Sequence, residues 1–103
     1  MAKENSYGLG SIIEDDYFTC RNRLNWIAQE IKKYVVEDLM KEPKLVEKKT
    51  EFERMLKTLE SYQLRIMSIK RDDERWRDEY YEILHDLNDI GLKIMEYYRQ
   101  LAE

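Results

Sequence analysis

One cysteine, one proline and three glycines among 103 residues leave this chain few means of stapling, kinking or sharply turning itself. A lone thiol, Cys20, cannot form an internal disulfide, and such sparing cysteine use fits an intracellular setting. No apolar run approaches the roughly 20 residues that a bilayer span requires, so no membrane partner is expected. Met1 to Asn5 lack the apolar core of a secretory signal, and a cytoplasmic protein is the expectation. With 22 acidic against 18 basic residues the net charge is −4, which removes the simplest basis for a phosphate-binding surface. Nucleic acid is not expected as a partner. At this length the chain forms one domain at most.

What the chain does have is seven-residue periodicity. Stepping from Leu45 to Leu101 by alternating threes and fours visits seventeen positions, of which only Lys48 and Asp73 are not apolar. A composition 43% apolar would place about seven there by chance. The seam reads Leu45, Phe52, Met55, Leu59, Tyr62, Ile66 and Ile69, then Trp76, Tyr80, Ile83, Leu87, Ile90, Ile94, Tyr97 and Leu101. An earlier run uses Ile13, Tyr17, Cys20, Leu24, Ile27, Ile31 and Tyr34. Strand alternation explains neither, and both suit helices packed along coiled-coil-like seams.

The expected fold is all-α. Residues 1–11, with two of the three glycines, read as a flexible arm, and residues 12–103 as one helical domain. Ser11 or Asp15 is a candidate cap for the first helix, with Glu14, Asp15 and Asp16 placed to favour its dipole. Pro43 lacks a backbone donor and disfavours helical geometry at Glu42, so the first helix ends near Lys41. The stretch Lys70-Arg71-Asp72-Asp73-Glu74 admits two outcomes. Basic residues closing one helix and acids opening the next complement both dipoles, giving an antiparallel three-helix bundle with helices near 13–41, 44–69 and 73–101. Alternatively, the unbroken heptad phase and the missing glycine and proline allow a single helix over 44–101, roughly 85 Å long, in a dimeric hairpin. Asp73 marks a turn in the first case and a polar register point in the second.

Several large apolar residues fall outside the seams. Trp26, Val36 and Met40 are assigned to one outer flank of the first helix, Leu64 and Met67 to the second, and Tyr81, Leu92 and Met95 to the last. Apolar side chains in excess of what the seams hide mark binding surfaces, so these eight are the candidate partner contacts and a homodimer or higher oligomer is expected. Most of the eight tyrosines fall in or beside the seams, while Tyr81 and Tyr98, each following a seam tyrosine, are candidates for contact with another chain.

Catalytic chemistry is thinly represented. His85 is the only histidine, and Glu82-Ile-Leu-His85 matches the Glu-x-x-His spacing of di-iron carboxylate bundles, a symmetric dimer supplying the second copy and Glu30 or Glu37 the remaining ligands. Only one copy of that motif exists, and heptad position sets His85 farthest from the seam. No cofactor is therefore expected, and a dimeric metal protein stands as the alternative. A phosphorelay role also needs an exposed helical histidine, but Leu87-Asn88-Asp89 supplies no lysine and small-residue pattern after it.

Glu79, Glu82, Asp86 and Asp89 form an acidic stripe, read as a solvated flank pairing with Arg23, Lys33, Arg54 or Arg65. The basic run Arg65, Lys70, Arg71, Arg75 and Arg77 is interrupted by Asp72, Asp73, Glu74 and Asp78, and its charge cancels. Cys20 sits on a seam, where a thiol is an inert small hydrophobe. Gly8-Leu9-Gly10 lacks the preceding strand and third glycine of a phosphate-cradling loop and reads as a hinge, with Tyr7 and Leu9 as possible anchors on the arm. The expectation is a non-enzymatic helical protein-interaction module, an adaptor, assembly factor or small inhibitor of a partner protein.

Overall fold

The computed structural model of the chain describes residues 16–103, and they form a three-helix bundle with no strand among them. Helix α1 spans Tyr17–Glu37, α2 spans Lys49–Ser68 and α3 spans Trp76–Ala102. Asp16 caps α1, its carboxylate accepting from the Thr19 amide at 2.7 Å. That bond holds the Asp16 carboxyl below its usual range. The candidate caps Ser11 and Asp15, the arm and its Gly8-Leu9-Gly10 hinge lie outside the described residues.

The corner at Pro43 is built in two steps. After Glu37 the chain tightens into a 3-10 turn at Leu39–Lys41, opens at Glu42 (φ −81°, ψ 117°), and re-enters 3-10 geometry over Pro43–Lys48. Extended backbone before a proline is the expected restriction. Leu39 and Leu45, on either side of the corner, are both buried and pin it to the core. Helical α-geometry is thus shorter than the sequence suggested at both margins, since turning inward at Leu45 (φ −113°, ψ 17°) breaks the helix there.

The second connection decides between the two topologies. Ile69 leaves α2 in extended conformation (φ −67°, ψ 124°), and α3 does not begin until Trp76. The single helix over 44–101 is therefore not formed, and the hairpin built on it falls. Asp73 makes this turn without glycine or proline: its Oδ1 accepts from the Arg75 amide at 2.9 Å and its carbonyl from the Trp76 amide at 3.1 Å. Its side chain takes up a backbone donor just ahead of α3, in the manner of an Asx turn, after α2 has already ended at Ser68. The Tyr17 hydroxyl, donating to the Ile69 carbonyl, anchors the turn to the start of α1.

Cross-helix contacts fix the directions. Tyr17 meets Trp76 edge to face, Arg23 donates to the Tyr80 hydroxyl, and Tyr98 donates to Asp38, so α1 and α3 run the same way. Arg65 with Glu79 and Tyr97 with Glu51 show α2 running against α3. Between them lies a core whose fully covered members include Leu24, Val35, Phe52, Leu59, Ile66, Ile83 and Leu87. Each such side chain contributes about 1.5–3 kcal/mol of hydrophobic stabilisation.

The seam positions of α2 and α3 are all buried or half-buried, from Phe52 to Leu101. Helix α1 behaves differently. Its buried residues are Tyr17, Cys20, Leu24, Ala28, Ile31 and Val35, continued by Leu39. Their spacing is that of an 11-residue repeat, about 3.67 residues per turn, rather than of a heptad. Ala28 and Val35 take the central places that heptad counting gave to Ile27 and Tyr34. Ile27 is left half-buried and Tyr34 exposed, both turned toward α3.

Candidate protein-binding face

The drift of α1 opens a groove between α1 and α3. Its α1 wall carries Trp26, Ile27, Glu30, Ile31 and Tyr34, and its α3 wall Leu87, Asn88, Gly91, Leu92 and Met95. The groove measures about 580 Å³. Trp26, Leu92 and Met95 are 63%, 64% and 61% exposed, well beyond what a core-flanking contact leaves open. Glu30 is the one charged residue among those lining it. Tyr34 closes one end, its ring edge-on to Tyr98 with centroids 6.3 Å apart.

Gly91 lies on the α3 wall, within a helix that continues eleven residues beyond it to Ala102. A Cβ added there would meet no atom within 4 Å. The bundle itself has no need of a glycine at this position, and the absent side chain leaves the α3 backbone bare along the groove wall.

The eight surplus residues are thus divided by the fold. Trp26, Leu92 and Met95 converge on one groove. Leu64 lies elsewhere, in a depression of about 560 Å³ between α2 and α3 lined mainly by Arg65, Asp73, Arg75, Asp78, Glu79 and Glu82. Met67 and Tyr81 are exposed outside both, the Tyr81 ring resting on Tyr80. Val36 is exposed but does not share the groove with Trp26, and Met40 is half-buried against the core. The single flank assigned to Trp26, Val36 and Met40 is therefore corrected: ten residues of helix separate Trp26 from Val36 by about 80° of rotation, and Met40 is drawn inward at the Pro43 corner. Tyr98, expected on an outer surface, is half-buried and bonded to Asp38 at 2.8 Å. Counting seams missed Tyr34, Phe18 and Val46 as exposed apolar groups, and it missed Gly91.

The acidic stripe of α3 is largely engaged. Arg65 donates to Glu79 and to Glu82, the latter at 2.8 Å, and these two bonds raise the Arg65 pKa. Tyr62 donates to Asp86 at 2.7 Å. With its carboxylate on Arg65, Glu82 is not the partner of His85. The imidazole Nδ1 instead lies 3.7 Å from Asp86 and 3.6 Å from Asp89, an exposed trio whose ligand atoms come within 4.8 Å of one another. Cys20 is buried among core side chains, with no histidine near it in sequence.

No family model, no curated protein and no solved structure matches the chain. Among the described residues, no helix is long and apolar enough to cross a membrane.

Proposed function

We propose that this protein is a non-enzymatic interaction module that presents the α1/α3 groove to another protein. The observation carrying this is the convergence of Trp26, Leu92 and Met95, from two different helices, on one apolar concavity with a single carboxylate in its lining. Contact surfaces concentrate energy in a few anchors, tryptophan and tyrosine prominent among them, and methionine is enriched at interfaces. A rigid groove between two helices suits the apolar face of a partner helix. A second concavity of similar size, around Arg65 and Glu79, is occupied by its own ion pairs. No observation favours the Glu82 and His85 metal alternative, since Arg65 holds Glu82.

The test is affinity capture from cells of the source, using wild type, a Trp26→Ser/Met95→Ser variant and a Val46→Ser control. A protein retained by wild type and by the control but lost from the groove variant is the expected result. Retention of the same proteins by all three, or capture by wild type of neither another protein nor an untagged copy of this chain, would contradict the proposal.

A further inference from the structure

We infer that the groove is closed by a second copy of this chain, packed face to face about a two-fold axis with Gly91 at the point of closest approach. This rests on the interaction-module proposal and names its partner. Glycine is among the poorest helix formers, yet here it stands inside α3 where a Cβ would touch nothing of its own chain. A glycine without an internal packing reason, on the α3 wall of this apolar groove, is accounted for by close backbone approach from outside.

Area and charge favour a copy over a charged partner. The open parts of Trp26, Tyr34, Leu92 and Met95 supply roughly 500 Å² per subunit, taking aromatic side chains at about 150–250 Å² each. A stable interface buries about 800 Å² per partner, so these four, fully covered, supply more than half of one. A basic partner helix would find only Glu30 to pair with inside the groove. Two copies, by contrast, bring just one carboxylate each to a self-complementary apolar contact, the arrangement that two-fold dimers use.

Sedimentation equilibrium of the full chain, from micromolar to sub-millimolar concentration, tests this with Gly91→Leu, Trp26→Ser and Val46→Ser variants whose helicity is checked by circular dichroism. Wild type and Val46→Ser should approach twice the 12.7 kDa chain mass as concentration rises. Gly91→Leu and Trp26→Ser should each stay helical and need at least about tenfold more protein to associate. A wild-type mass of 12.7 kDa throughout would overturn the inference. So would a dimer equally strong in both variants, which would place the contact on another face. If wild type is monomeric yet the capture experiment yields a groove-dependent protein, the second-copy inference falls and the interaction-module proposal stands.

Discussion

The hydroxyl of Tyr17, at the first residue of α1, donates to the backbone carbonyl of Ile69, 52 positions later, where α2 ends. This buried bond ties the otherwise plain 69–75 turn to the bundle, while the Tyr17 ring packs edge-on to Phe18 and Trp76. Replacing Tyr17 with phenylalanine keeps the ring and leaves the carbonyl unpaired. The expected loss is about 1–2 kcal/mol in urea unfolding, with little change in helicity. A variant as stable as wild type would show that the turn holds itself.

Three phenols bond carboxylates across helices: Tyr62 to Asp86, Tyr97 to Glu51 and Tyr98 to Asp38. Each is pushed up from 10.0 to about 12, Tyr62 chiefly by its bond to Asp86, Tyr97 and Tyr98 chiefly by burial and then by their carboxylates. Raised folded values mean that this stabilisation is fully present below the unfolded value near 10 and is lost as pH climbs toward about 12. Urea midpoints should therefore fall steeply across that window. The triple Tyr→Phe variant should show a shallower alkaline decline. The Tyr97 bond also acts at acid pH: it holds the Glu51 carboxyl below 4.5, so its contribution is present above that value and lost as pH falls through the lowered one.

Ala28 is fully buried where α1 crosses the core. Ala28→Leu should overpack the site and cost about 1–3 kcal/mol in thermal or urea unfolding. Ile27→Leu, on the half-buried flank, should cost under about 1.5 kcal/mol. If α1 instead packed through Ile27 and Tyr34, the order would reverse.

Gly91→Ala should stabilise the dilute protein by about 0.5–1 kcal/mol, since the added Cβ meets open space and removes a flexible residue from a helix interior. A destabilised variant would show that the glycine serves the fold.

The seams of α2 and α3 could be read from the chain because an unbroken alternation of threes and fours marks one continuous apolar face, even with Leu64, Met67, Leu92 and Met95 lying off it. In α1 the signal was degenerate. Ala28 and Val35 are as apolar as Ile27 and Tyr34, and choosing between a period of 3.5 and one of 3.67 needs the rotation that packing against two neighbours imposes. The 69–75 turn was ambiguous for a different reason: Asp73 organises it through a side-chain bond to the Arg75 amide, which a heptad count records only as a polar seam position. The groove was legible as three residues but not as a place, because whether Trp26 turns toward Leu92 on α3 or away from it depends on that same rotation of α1.

Trp76→Phe leaves Trp26 as the sole tryptophan while keeping an aromatic ring against Tyr17. Acrylamide quenching of this protein, dilute and concentrated, reports directly on whether the α1/α3 face becomes covered. Trp26 should be freely quenched when dilute, then shielded and blue-shifted as concentration rises. Equal quenching at both concentrations, with full exposure retained, would contradict a covered groove.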